Sequence, residues 1–131
     1  MKKIILIFLM LLLMLVGCQQ TIELSDIAAN PEEYLGKTIT VTATTALDNK
    51  VICTLMECPE EDPCCNSCAG SLYLVSENLN IKLLYDEQKC SGDNCGLICS
   101  PLRHNKEYTI TGKLTEEYSE YIIGVESWNE E

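Results

Sequence analysis

Residues 38–44 read Thr-Ile-Thr-Val-Thr-Ala-Thr, and this alternation decides the fold of the chain. Apolar side chains recur at every second position, at Ile39, Val41 and Ala43, which is the period of a strand with one buried face. Threonine, valine and isoleucine also favour the pleated backbone. The stretch therefore predicts a half-buried β-strand.

Comparable runs follow further along the chain and predict a series of strands. They are residues 51–56, 71–76, 80–85, 108–114 and 121–128. Residues 76–79 read Ser-Glu-Asn-Leu and favour a hairpin between two of them. Gly112 lies inside an alternating run, which predicts a bulge or sharp bend of the kind that small closed barrels require.

Residues 25–36 precede the first strand and carry helix signals. Residues 25–29 fit one or two helical turns. In the next stretch Asn30 fits an N-cap, Pro31 the first helical position and Glu33 a capping-box partner. Gly36 can adopt the left-handed conformation that ends a helix. We expect an all-β domain with one or two short helices.

The order of these elements resembles the OB-fold. The stretches that carry the resemblance are residues 36–41, the two middle strands, 108–114 and 121–125. It implies a small Greek-key barrel within residues 24–131, with cysteine-rich insertions at about 53–68 and 90–99. OB-folds commonly bind oligonucleotides, but no stacking aromatics or basic groove of that type is recognisable here.

The N-terminus has the layout of a secretory signal peptide, because Lys2 and Lys3 precede an apolar run over 4–16. As a helix this run would span roughly 20 Å, which is short of the ~30 Å core that a membrane span crosses. Residues 15–18, Leu-Val-Gly-Cys, resemble the lipobox of bacterial lipoproteins. The resemblance implies diacylglycerol on the Cys18 thiol, cleavage before Cys18 and stable anchoring by acyl chains such as palmitate.

These features predict a signal peptide over 1–17, a lipidated Cys18 with a short tether over 18–23, and a domain over 24–131. An ordinary secretory signal with an incidental Cys18 is the alternative. The mature protein is expected on the outer face of the cell membrane. In a host with two membranes, a chain with Gln19 directly after Cys18 resembles lipoproteins that are sorted to the outer membrane. The domain would then face the periplasm.

The chain is strongly acidic, with a formal charge of −11 that becomes −13 when Lys2 and Lys3 leave with the signal peptide. Nucleic-acid binding depends on basic side chains that neutralise phosphates. We therefore expect no nucleic-acid partner.

The cysteine count supports lipidation independently. The chain has nine cysteines, an odd number for an exported protein. If Cys18 carries lipid, the remaining eight can pair completely as structural disulfides, with a connectivity that the sequence leaves open. They are Cys53, Cys58, Cys64, Cys65, Cys68, Cys90, Cys95 and Cys99.

A thiol-based function is the alternative use of these cysteines. Cys65 and Cys68 form a C-x-x-C pair, whose spacing suits disulfide exchange or chelation of zinc or another thiophilic metal. The preferred metal set adds Cys95 and Cys99. Other candidate ligands are Cys90 and the single histidine, His104.

No catalytic constellation is recognisable, so we expect no enzyme. The acidic side chains over 57–62 lack a calcium-loop spacing, and Glu116, Glu117 and Glu120 fall at an expected hairpin turn.

The favoured function is a non-catalytic binding or structural module of the cell envelope. Its partners would be the membrane, through Cys18, and an envelope protein or small ligand. We expect the insertions to cap one barrel end and to favour a cationic or polar partner.

Replacing the lipidation site tests the anchor. Cys18→Ser should leave an uncleaved precursor and abolish incorporation of labelled fatty acid, because no sulfur remains to accept diacylglycerol. Immunoblotting and acyl labelling measure both effects. Normal processing with unchanged lipid content would contradict the assignment.

Overall fold

The computed structural model describes residues 20–131. The signal peptide expected over 1–17 and the expected lipidation site at Cys18 lie outside these residues. In the described part, no helix has the length and apolar character needed to cross a membrane.

The domain is mostly β with two short helices, which confirms the fold class expected from the alternating pattern. The elements are β1 (Thr21–Glu23), α1 (Leu24–Ala29), α2 (Pro31–Tyr34), β2 (Thr38–Leu47), β3 (Ile52–Cys53), β4 (Ser67–Gly70), β5 (Leu72–Val75), β6 (Asn80–Leu84), β7 (Lys89–Asp93), β8 (Gly96–Ser100), β9 (Glu107–Glu117) and β10 (Glu120–Glu130).

Five strands form a closed ring in the order β2, β5, β6, β10, β9 and back to β2. All neighbours are antiparallel except β6 and β10, which run parallel. Strand β1 adds to β2 in parallel, with Thr21 opposite Thr40. Because β9 and β1 both pair with residues 40–42, they occupy opposite edges of β2.

The strand directions show at which end of the ring each connecting segment lies. The start of β2 and the turns at 76–79 and 118–119 lie at one end, which we call the entry end. The segments 48–71 and 85–106 leave from the other, which we call the far end. Both cysteine-rich insertions therefore leave from the far end.

The two insertions form a second sheet in the order β3, β4, β7, β8, which we call the disulfide sheet. Directly paired residues point to the same face of a sheet. Its inner face carries Cys68, Cys90 and Cys99, all of which are buried. Its outer face carries the row Ile52, Ala69, Ser91 and Ile98, and the two isoleucines are 77% and 75% exposed.

The alternation in β2 turns its apolar side chains into the ring and its threonines outward. Ile39 and Val41 are buried, whereas Thr40 and Thr42 pair by hydroxyl hydrogen bonds of 2.8 and 2.6 Å with threonines of β9. Such cross-strand pairs stabilise a sheet. Thr45 continues the inward series, and its buried hydroxyl lies 2.6 Å from the carbonyl oxygen of Arg103.

Two local predictions differ from the structure. Only Ile52–Cys53 of the expected strand over 51–56 is a strand, since these residues lie outside the ring and pair only with β4. Asn30 makes no side-chain capping bond, although Pro31 begins α2 as expected. A backbone bond from Glu33 to the Asn30 carbonyl closes this turn instead.

Gly36 has a φ of 77°, as predicted for the residue that ends the helical turn. Near Gly112, a register shift lies in the partner strand, between Val125 and Ser127. A Cβ at Gly112 would overlap the carbonyl oxygen of Gly124 and lie 2.7 Å from Cγ2 of Ile123. Gly112 is therefore required by the close approach of β9 and β10.

This close approach predicts different effects for two glycines of the same ladder. Gly112→Ala should lower the free energy of unfolding by about 1–3 kcal/mol, because the backbone of β10 must move. Gly124→Ala is the matched control, since its Cβ would meet only ordinary van der Waals contact at 3.9 Å. Urea unfolding of the soluble fragment 20–131 measures both, and equal stabilities would contradict the steric explanation.

Candidate functional site

All eight cysteines of the described chain are in disulfides. The pairs are Cys53–Cys68, Cys58–Cys65, Cys64–Cys95 and Cys90–Cys99. The first and last join directly opposite residues of neighbouring strands, with Cα atoms 4.0 Å apart. Cys64–Cys95 connects the two insertions to each other.

This pairing separates the cysteines of the alternative thiol site. Cys65 and Cys68 are not bonded to each other, because each pairs with a cysteine earlier in the first insertion. Cys95 and Cys99 belong to two further disulfides. The four sulfurs proposed for zinc therefore lie in four different disulfides, and none is a free thiolate in this oxidised state.

Within residues 20–131, one group has metal-ligand spacing, formed by Cys64, Asp93 and Cys95 with ligand atoms within 4.8 Å of one another. Its two sulfurs are bonded to each other, so neither can act as a thiolate ligand. Oδ1 of Asp93 accepts hydrogen bonds from the backbone amides of Cys95 and Gly96, at 2.9 and 3.0 Å. The carboxylate thus stabilises the turn between β7 and β8.

His104 is half-buried and lies just before β9. Among the described residues, its Nδ1 is a buried polar atom without a hydrogen-bond partner. It belongs to no group of metal-ligating side chains found in the described chain. The structure therefore does not bring His104 together with the cysteines of the alternative zinc site.

The acidic segment 57–62 is exposed and held at the far end by hydrogen bonds of Asn66. The side-chain oxygen of Asn66 accepts from the Met56 amide at 2.7 Å, and its nitrogen donates to the Met56 carbonyl at 3.2 Å. Asn94 adds a bond from its side chain to the carbonyl oxygen of Pro63. The loop is thus fixed in shape while its carboxylates face solvent.

A concave surface of about 640 Å³ lies on the wall of the ring. It lies across β5 and β6, between the segment after β2 and the turn between β9 and β10. We call this surface the groove. It is lined by Asp48, Asn49, Lys50, Tyr73, Asn78, Leu79, Asn80, Tyr118, Ser119, Glu120 and Tyr121. Most of these side chains carry an amide or a hydroxyl.

The floor of the groove is held by a small network around Glu120. Tyr73 donates its hydroxyl proton to Oε1 of Glu120 at 2.6 Å, and Nζ of Lys82 lies 3.6 Å from Oε2. Burial, and then the hydrogen bond and charge of Glu120, raise the pKa of Tyr73 well above its ordinary value. Both carboxylate oxygens of Glu120 are therefore engaged by neighbouring side chains.

The turn between β9 and β10 forms one wall of the groove. Tyr118 and Ser119 both have positive φ angles, 53° and 64°, which give the tight turn of a two-residue hairpin loop. The Tyr118 side chain is fully exposed. A large aromatic ring held in solvent beside a polar groove is available to contact a ligand.

No pattern in the sequence predicts the groove as a site. Its lining residues come from four separate stretches and share no motif or spacing. Tyr118 is the one sequence feature that could have indicated a contact surface, because an aromatic residue at a hairpin turn has little core to pack against. Of the acidic residues considered at that turn, only Glu120 lines the groove.

Comparison with protein-family models, with curated proteins and with solved structures finds no match to this chain.

The network on the groove floor predicts a specific effect of removing one hydroxyl. Tyr73→Phe should destabilise the fold by about 1 kcal/mol, a typical net contribution of one hydrogen bond. Ionisation of Tyr73 is suppressed in the folded state only. The contribution of its hydrogen bond to the free energy of unfolding is therefore complete below the ordinary tyrosine pKa, near 10, and is lost as pH rises above that value.

Tyrosinate absorbance at 295 nm as a function of pH, with urea unfolding at pH 8 and above 10, measures both effects. Tyr73→Phe should remove one late-ionising tyrosine and reduce the loss of stability above pH 10. Tyr118→Phe is the control, since that side chain is fully exposed. An unchanged number of late-ionising tyrosines in Tyr73→Phe would contradict the assignment.

Proposed function

We propose that this protein is a membrane-anchored envelope lipoprotein whose domain is a non-catalytic binding module, with the groove as its ligand site. The single observation that carries the binding role is the groove itself, with the exposed Tyr118 ring on its wall. Export and lipidation rest on the N-terminal sequence.

The four disulfides support the proposed location. Disulfides form and persist in oxidising compartments outside the cytoplasm. With all eight other cysteines paired, Cys18 is the one cysteine left for lipid, in agreement with the parity of the sequence. The location proposed is the outer face of the cell membrane, or the periplasmic face of the outer membrane in a host that has one.

The strand order of the ring supports an OB-fold-like barrel. The ring strands can be numbered one to five in chain order, as β2, β5, β6, β9 and β10. Around the ring, their order is then one, two, three, five, four and back to one. OB-folds bind ligands on the face of strands two and three, between the loops that join one to two and four to five. The groove occupies the corresponding place in this chain.

The groups in the groove favour a polar, uncharged ligand, and we propose an oligosaccharide. Asn49, Asn78 and Asn80 offer amides that both donate and accept, as sugar hydroxyls require. The exposed Tyr118 ring offers an apolar face for a pyranose ring. The groove carries charges of both signs, at Asp48, Lys50 and Glu120, and the acidic chain opposes binding of oligonucleotides.

A non-catalytic role is supported by the state of Glu120, one of the two carboxylates that line the groove. An acid or base catalyst needs an oxygen that can reach the ligand. Both oxygens of Glu120 are engaged, one by Tyr73 and one by Lys82.

The proposed ligand class can be tested with the soluble fragment 20–131. Isothermal titration with chitotetraose and with peptidoglycan glycan fragments should detect binding, whereas a single-stranded oligodeoxythymidine at low salt should not bind. Tyr118→Ala should weaken glycan binding by about tenfold, which corresponds to losing about 1.4 kcal/mol of contact.

Leu55→Ala is the matched control, because Leu55 is as exposed as Tyr118 and lies outside the groove. It should leave glycan affinity unchanged. Absence of binding to every glycan tested, or equal losses in the two variants, would contradict the groove as an oligosaccharide site. Tight binding of the oligonucleotide would contradict the choice of ligand class.

A further inference from the structure

We propose that the domain stands on the membrane by its entry end, with the turn between β9 and β10 toward the lipid headgroups and the disulfide sheet pointing away from the bilayer. This orientation rests on the proposed lipidation of Cys18 and does not depend on what the groove binds.

The path of the chain fixes which end lies nearest to the lipid. Strand β1 runs parallel to β2, and its first residue, Thr21, pairs with Thr40, the third residue of β2. The chain therefore comes from the entry end when it joins the sheet. Gln20, the first described residue, is exposed there.

The proposed tether is too short to let the domain turn over. Two residues separate Cys18 from Thr21, and the three Cα-to-Cα steps between them reach about 10 Å when extended. From Thr40, strand β2 continues for seven more residues toward the far end, a length of roughly 23 Å at the usual rise per residue. Lipid on Cys18 thus keeps the entry end close to the headgroups.

The turn between β9 and β10 projects from the entry end. Lys113 of β9 pairs with Thr38, the first residue of β2, and β9 continues for four more residues before the turn. Tyr118 in this turn is fully exposed. A probe at position 118 therefore reports how close the entry end lies to the headgroups.

The orientation decides which surfaces other envelope molecules can reach. The outer face of the disulfide sheet, with Ile52 and Ile98, would point away from the bilayer. The groove extends along the wall from Tyr118, near the headgroups, to Lys50, at the end of the ring away from them.

Depth-dependent tryptophan quenching tests the proposal on the full lipidated protein. Trp128→Phe removes the single native tryptophan, and Tyr118→Trp or Ile98→Trp then places one at either end. The variants are reconstituted in phosphatidylcholine vesicles with a spin label on the headgroup. The tryptophan at 118 should lose most of its emission, and the one at 98 should keep the emission it has without quencher.

Leu55→Trp provides a second far-end probe if Ile98→Trp does not fold, because Leu55 is 99% exposed in the loop after β3. Equal quenching at both ends, or stronger quenching at 98 or 55, would overturn the orientation alone. Intact-mass analysis of the same sample reports the acyl chains. A protein without acyl chains that stays in the aqueous phase would overturn both the orientation and the proposed lipoprotein function.

Discussion

Hydrogen bonding of β2 along both of its edges is the constraint on which the rest of the structure depends. One edge pairs with β9 over residues 38–44, and the other pairs first with β1 and then with β5. This double pairing closes the ring, and the strands left at sheet edges among the described residues are the short strands β1, β3 and β8. It also turns Ile39, Val41 and Thr45 into the interior.

The disulfides lie in the part of the domain that is outside the closed ring. The disulfide sheet is short-stranded, and its outer row of Ile52 to Ile98 faces solvent, so apolar burial on its inner face alone contributes modestly to its stability. Disulfides typically add about 2–4 kcal/mol each by restricting the unfolded chain. Cys90 and Cys99 also pack into the core of the ring, so the disulfide between them holds the second sheet against the first by apolar contact.

The two chemically distinctive surfaces of the domain have different physical origins. The groove is a polar surface on the wall of the ring, with its floor fixed by Tyr73, Lys82 and Glu120. The disulfide sheet presents apolar side chains beside an acidic loop, and it is held in shape by covalent bonds. A module with a preformed groove loses little conformational entropy when a ligand binds.

The sequence by itself determined the strands of the ring, the short helices and the number of cysteines available for pairing, because these depend on local period and on counting. Only the tertiary structure decided the disulfide connectivity, the separation of Cys65 from Cys68, and the groove. The side chains of the groove come from Asp48, Asn80 and Tyr118, which are far apart along the chain and meet only when the ring closes. Strand pairing between distant residues brings them together, and no local pattern of side chains encodes that pairing.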